Sequence, residues 1–89
     1  MNDKIVTCIH CGSDCTHHRG VSVFMRNEDA EHGVHAVCDN MSVMVDNDIT
    51  DNPSGRRDGL CIEIECENCL LKSTLKIWQH KGTTHITHE

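Results

Sequence analysis

Two Cys-x-x-Cys pairs constrain this chain more than any other feature of its sequence. Cys8 and Cys11 form the first pair, and Cys66 and Cys69 form the second. Each pair presents two thiolates from one tight turn, and two such turns complete the tetrahedral shell that Zn²⁺ prefers. Gly12 follows the first pair, where the backbone must bend towards the sulfur atoms and glycine tolerates a positive φ. The spacing predicts one structural zinc ion held by these four cysteines.

The separation of the two pairs departs from that of a compact zinc ribbon. About 15 to 20 residues are usual between the pairs, whereas here the whole stretch 12–65 lies between them. We interpret the chain as a zinc ribbon with an inserted β-hairpin. Residues 1–89 would form a single domain, with metal knuckles at 8–11 and 66–69 and a long polar loop at 46–59.

Other ligand sets stay open at this stage. His10 lies inside the first knuckle, and Cys15, His17 and His18 follow it closely, so that one of them could replace a thiolate in a Cys₃His site. A redox dithiol is disfavoured, because neither pair is followed by a helical pattern. A complete shell of four thiolates leaves no position for water or substrate, which predicts a structural and not a catalytic metal.

A chain of this composition needs such a stabiliser. It has 89 residues with one Trp, one Phe and no Tyr, and domains of this size are marginally stable without a staple. Its seven cysteines are an odd number, and no apolar run typical of a signal peptide precedes them, which favours a reducing cytoplasm. No stretch is apolar enough to span a membrane. Cys38 and Cys61 fall in strand-like segments and are interpreted as small core or half-exposed residues.

Alternation of apolar and polar residues predicts a mostly β fold. The expected architecture is a single small antiparallel sheet of about four to six strands with little or no helix. The individual segments are a short strand within 5–15 that enters the first knuckle, a strand at 20–26, a hairpin at 34–46 that turns at Asp39-Asn40, strands at 60–66 and 73–79, and a last short strand at 83–88.

The loop Asn-Pro-Ser-Gly-Arg-Arg-Asp-Gly at 52–59 is the first candidate for binding a partner. Arg56 and Arg57 are adjacent there, and guanidinium groups suit phosphate or carboxylate. The alternative is that both arginines pair with neighbouring acids such as Asp51 or Asp58 and only order the loop.

The second candidate is the segment 72–81, which carries Lys76 and Trp78 among three lysines. An exposed Trp beside lysines can stack a nucleic-acid base or anchor a protein interface. The alternative is that Trp78 packs under the sheet as its one large residue.

Four segments together resemble small zinc-ribbon proteins found in bacteriophages and mobile elements. They are the first knuckle with its following turn (8–14), the arginine-containing loop (52–59), the second knuckle (66–69) and the segment Gln-His-Lys-Gly-Thr-Thr (79–84). The loop is the most specific of them. Ile9, where ribbons often carry Pro, and Leu70, where Gly often follows the second knuckle, depart from the pattern. The resemblance implies a phage or prophage setting and no mechanism.

Charge and composition narrow the function classes. The net charge of −6 is unlike that of a generic nucleic-acid binder, which is basic, and no nucleophilic triad or phosphate-binding loop is present in the sequence. These features favour a non-enzymatic interaction protein. Together with the phage setting that the resemblance implies, they lead us to expect that it binds a host protein, as an inhibitor of host defence or transcription. The alternative is a nucleic-acid-binding zinc ribbon that uses the Lys72–Lys81 edge, with a redox protein or enzyme third. A homodimer would protect exposed sheet edges.

Overall fold

Residues 4–89 are described by a computed structural model. These residues form six β-strands and no helix. The part of the chain that the structure describes therefore contains no membrane-spanning helix. The strands are β1 (Thr16–Met25), β2 (Val34–Asp39), β3 (Ser42–Asp46), β4 (Gly59–Cys66), β5 (Lys72–His80) and β6 (Thr83–His88). The predicted mostly β architecture is confirmed.

All six strands belong to one open antiparallel sheet in the order β3-β2-β1-β4-β5-β6. Neighbours in the sheet are also neighbours in sequence, except that β1 pairs with β4. In the sequence, the β2–β3 hairpin and the loop 47–58 therefore lie between β1 and β4, which are the two central strands of the sheet. Thr16, which follows the first knuckle, pairs with Cys66, the first residue of the second knuckle. This pairing brings the two knuckles to the same end of the sheet.

Two local predictions were wrong. Residues 5–15 contain no strand; instead, the Thr16 hydroxyl donates to the carbonyl of Val6 over 2.8 Å, so this segment folds back along the start of β1. The β2–β3 hairpin turns at Asn40-Met41 and not at Asp39-Asn40, because Asp39 already pairs with Ser42. Both turn residues have positive φ, 48° and 65°, as a two-residue type I′ turn requires.

One side of the sheet, which we call the apolar face, carries apolar side chains across all six strands. Residues paired in register share a face, and two complete rungs of this face can be followed from edge to edge. The first contains Val45, Ala36, Val23, Leu60, Ile77 and Ile86, and the second contains Val43, Cys38, Val21, Ile62, Leu75 and His88. None of the paired positions of this face holds Asp, Glu, Lys or Arg.

The opposite side, which we call the charged face, holds the charged residues of the paired positions, among them Glu63 and Lys76. One aromatic side chain on this face is nevertheless deeply buried. Phe24 is 1% exposed and stacks on the His35 ring with centroids 4.4 Å apart. His35 in turn lies 3.0 Å from the Asp46 carboxylate through Nδ1. Buried apolar residues thus occur on both faces, with Phe24 on the charged face and Ile64 and Cys66 on the apolar face at its knuckle end.

Candidate metal centre and arginine loop

The four cysteines of the two knuckles come together at one end of the sheet. Their sulfur atoms all lie within 4.8 Å of one another, and the distances from Cys8 to Cys69 and from Cys11 to Cys66 are 3.7 and 3.6 Å. Four sulfurs placed tetrahedrally around an ion with metal–sulfur bonds of about 2.3 Å would be about 3.8 Å apart. The cluster is therefore positioned to coordinate a metal ion.

Both knuckles have the same backbone geometry. In the first, the amide of Gly12 donates to the carbonyl of Cys8 over 2.9 Å, and the amide of Cys8 donates to the carbonyl of Ser13 over 2.8 Å. In the second, the amide of Leu70 donates to the carbonyl of Cys66 over 3.0 Å. The amide of Cys66 donates over 3.1 Å to the carbonyl five residues later, as that of Cys8 does in the first. Two copies of one turn thus present two thiols each to a common centre.

The second knuckle is the turn between β4 and β5. Cys66 ends β4 and is 1% exposed, whereas Cys69 lies in the turn itself. The amide of Glu67 donates to the carbonyl of Cys15 over 2.9 Å, which extends the β1–β4 pairing by one step. This contact and the strand pairing hold the two knuckles against each other from distant parts of the sequence.

Hydrogen bonds to sulfur change the pKa values of Cys8, Cys11 and Cys69. The backbone amide of Ser13 and then the side-chain amide of Asn68, 3.7 Å away, lower the pKa of Cys11 to about 6. Backbone amides, first that of Cys11, also lower the pKa of Cys8. The Leu71 amide acts in the same direction on Cys69.

Burial and the neighbouring sulfurs outweigh that bond and raise the pKa of Cys69 to about 12. Two acidic thiols and one that resists ionisation are what crowding of thiolates produces when each new charge meets the others. A bound cation removes this conflict and lets all four sulfurs ionise, because a coordinating thiol is deprotonated outright.

The alternative ligands considered above lie outside this cluster. The Nε2 of His10 donates to the carbonyl of Lys72 over 3.1 Å, and His17 pairs with Glu67 at 3.0 Å. Cys15 is exposed and donates to Asp14. Within residues 4–89, the four knuckle cysteines are the one group of three or more His, Cys, Asp or Glu side chains close enough together to hold a metal.

The two remaining cysteines lie in the sheet. Cys38 is exposed on β2, on the apolar face, and Cys61 is half-buried on β4, on the charged face. Burial raises the pKa of the Cys61 thiol. Neither residue is near the metal centre in the strand register.

The arginine loop, residues 52–58, packs onto the charged face beside β5. Gly59 makes this possible, because a Cβ there would lie 2.2 Å from Oδ1 of Asn52 and 2.7 Å from the Pro53 ring. Ser54 is buried, and its hydroxyl donates to the carbonyl of Gln79 over 2.7 Å. The loop is therefore fixed next to the strand that carries Trp78, although the two segments are distant in sequence.

The same serine organises the arginines. Its hydroxyl oxygen accepts hydrogen bonds from the backbone amides of Arg56 and Arg57, at 3.3 and 2.9 Å. The guanidinium group of Arg56 turns back and binds both oxygens of Asp29, at 2.9 and 2.8 Å, with Glu28 at 3.4 Å. This pairing lowers the pKa of Asp29 and raises that of Arg56.

The two arginines consequently have different environments. Arg56 has its partners inside the chain, as one interpretation of the sequence expected, but they are Asp29 and Glu28 and not Asp51 or Asp58. The side chain of Arg57 is exposed and has no ion-pair partner among residues 4–89. Of the two candidate residues in this loop, Arg57 is the one available to another molecule.

The candidate residues of β5 are partly engaged as well. Trp78 is half-buried, stacks on His85 with ring centroids 4.4 Å apart, and donates through Nε1 to the Thr87 hydroxyl over 3.1 Å. Lys76 pairs with Glu89, and this raises the pKa of the lysine. One face of the indole is therefore covered by β6.

Asn68 and Ser54 were not identified as site residues from the sequence. An Asn just before the second cysteine of a knuckle is a usable signal for a hydrogen bond to sulfur, whereas nothing in the sequence marks Ser54 as buried.

Comparisons with protein-family models, with curated proteins and with solved structures found no match to this chain.

Proposed function

We propose that this chain is a non-enzymatic, zinc-stabilised interaction protein of the cytoplasm that binds another protein. Zinc is the ion that suits the cluster best, because a closed tetrahedron of four thiolates is its usual structural site. Tetrahedral sulfur also accepts iron, and the two ions are distinguished by colour and by elemental analysis. All seven cysteines are free thiols, in keeping with a reducing compartment.

The metal has no part in chemistry under this proposal. Four protein ligands fill a tetrahedral shell, so neither water nor substrate can reach the ion without loss of a thiolate. The chain's own residues hold the ion and thereby hold β1, β4 and β5 together at the knuckle end. The metal contributes to the folding free energy.

The single observation that supports a binding role is the junction of the arginine loop with β5. The Ser54–Gln79 hydrogen bond fixes the loop, Arg57 is exposed, and Trp78 lies on the adjacent strand with its indole partly accessible. Arginine and tryptophan are the residues most enriched among binding hot spots. A preorganised loop also lowers the entropic cost of association.

The resemblance to phage zinc ribbons leads us to propose a host protein as the partner, with inhibition of host defence or transcription as the outcome. Exposed acids such as Glu31, Asp48 and Asp51 give the chain a negative surface that could compete for a basic, nucleic-acid-binding channel.

Nucleic-acid binding by the Lys72–Lys81 edge is the weaker proposal. Lys72 lies 3.4 Å from Glu63 and Lys76 pairs with Glu89, so two of the three lysines already have acidic partners. Phosphate binding draws its affinity from unneutralised positive charge. Failure of the chain to shift DNA or RNA at low salt would remove this alternative.

The protein-binding proposal is tested by affinity capture from host lysate with matched arginine variants. Arg57→Ala is expected to lower recovery of the specific partner about tenfold, the loss typical of one hot-spot arginine. Arg19→Ala is the control, because Arg19 is also exposed but lies in the half of β1 near the knuckles, away from the arginine loop. There its guanidinium group is 3.7 Å from the Glu65 carboxylate. Equal recovery by both variants, or no protein enriched above a metal-stripped sample, would refute the proposal.

A further inference from the structure

The apolar face has no second layer of structure against it. The segment around Val6 lies over its knuckle end, near Ile64 and Leu75, and no other part of residues 4–89 covers the two complete rungs. Their ends are open to solvent, since Val45 on β3 is 67% exposed and Ile86 on β6 is 65% exposed. Sheets with one apolar face normally bury it against another layer.

We propose that the apolar face is covered in solution by the same face of a second copy of this chain, which gives a two-layer β-sandwich. This inference is independent of the proposed function, because the Arg57–Trp78 region lies on the charged face. In the sandwich each copy supplies the layer that the other lacks.

The exposed area is of the size that a dimer needs. The chain exposes 6456 Å², whereas a compact monomer of 10.0 kDa would expose about 5,200 Å². The excess of more than about 1,000 Å² matches or exceeds the roughly 800 Å² that one partner contributes to an interface of standard size.

The shape of the chain agrees with this comparison. The Cα radius of gyration is 14.1 Å, compared with about 12 Å for a compact domain of this length. A single flat layer accounts for both excesses, and a second layer on the apolar face would bury the excess area.

The absence of charge makes the apolar face complementary to itself. The paired positions of the apolar face are uncharged, so it offers no electrostatic feature that would select a charged partner. The chain has a net charge of −6, and two copies joined by their apolar faces place their charged faces on opposite outer surfaces. Twofold pairing of identical patches is closed, and aligned packing of two sheets at about 10 Å is a common solution for such faces.

Pairing through the sheet edges would not serve the same purpose. β3 and β6 are both open edges, and joining them to other strands would satisfy backbone hydrogen bonds. It would leave both rungs of the apolar face in water. Edge pairing therefore competes with the sandwich as an outcome but does not explain how this face is buried.

The test is sedimentation velocity and light scattering on the full zinc-loaded chain, with two neighbouring residues as a matched pair. Val45 and Met44 are adjacent on β3 and almost equally exposed, at 67% and 68%, but lie on opposite faces. The wild type is expected at twice the 10.0 kDa chain mass at about 50 µM. Val45→Lys should raise the dissociation constant at least about tenfold, because a lysine would be buried without a partner. Met44→Lys should remain dimeric.

Folding of each variant is checked by zinc content and circular dichroism. Ile86→Lys, on the opposite edge of the same rung, is expected to behave as Val45→Lys does and keeps the test valid if the latter misfolds. A monomeric wild type at about 100 µM, a dimer that both lysine variants of the apolar face leave intact, or a different protein bound stoichiometrically to this face would overturn the proposal.

Discussion

Leu70 occupies, in the second knuckle, the backbone position that Gly12 occupies in the first. Both residues have positive φ, 63° and 78°, because the turn must point its amides at the sulfur atoms. The left-handed region costs a residue with a Cβ about 1 kcal/mol or more. Leu70 is exposed and gains no packing in return. The metal centre is therefore built on one relaxed turn and one strained turn.

Leu70→Gly is expected to stabilise the protein for this reason. The released strain, less the greater entropy of glycine in the unfolded chain, leaves about 0.5 kcal/mol or more, which raises Tm by a few degrees at this size, roughly 2 to 5 °C. Thermal unfolding at fixed zinc concentration measures the shift. Leu71→Gly is the control: Leu71 is also exposed and is outside the left-handed region, so this variant should lose stability. Equal losses in both variants would contradict the account.

At the scale of elements, the loop 47–58 acts as a fixed part of the sheet. Asn52, the first residue of the arginine loop, makes an Asx turn in which the amide of Ser54 donates to Oδ1 over 3.0 Å. The Asn52 side chain also donates to the carbonyl of Arg57 over 2.8 Å. The carbonyl of Asp58 then accepts from the amide of Gln79. The bonds of Asn52 close the loop on itself, whereas those of Ser54 and Asp58 join it to Gln79 of β5.

Ser54→Ala tests this description of the loop. It would leave the carbonyl of Gln79 and the amides of Arg56 and Arg57 without their partner in a buried place, at a cost of about 2 kcal/mol. Urea unfolding at constant free zinc measures the loss. Ser42→Ala, at an exposed position on β3, should change the free energy of unfolding by no more than about 0.5 kcal/mol. A neutral Ser54→Ala variant would show that the loop is not held in this way.

The elements also show what the sequence could reveal and why the rest was hidden. Metal-ligand spacing identified the four cysteines, and period-2 alternation located most of the strands, since both signals are local. Alternation assigns each strand two faces but does not align one strand with the next. The continuous apolar face could therefore not be read from the sequence. The pairing of Arg56 with Asp29 was missed for the same reason, because β2 and β3 with their connections lie between these two residues in the sequence.

For the whole molecule, we expect a metal ion at the four-cysteine cluster to supply the stability that the small core of the sheet does not. Among residues 4–89, the only buried apolar residues are Cys8, Phe24, Ile64 and Cys66, and two of these four are knuckle cysteines. A core this small does not offset the entropy of ordering a chain of this length. A metal bound by both knuckles would fix the β1–β4 pairing. It would thereby offset the entropic cost of bringing together two segments that residues 12–65 separate in the sequence. We therefore expect one zinc ion per chain, and expect the sheet to be folded only while that ion is bound.

Native mass spectrometry of the purified chain, before and after a zinc chelator, tests this claim most directly. The account predicts one zinc ion per chain and low charge states typical of a folded protein. Chelation should remove the ion and shift the distribution to high charge states in the same step. A chain that is folded without metal, or that loses its metal and keeps its compact charge states, would contradict the account.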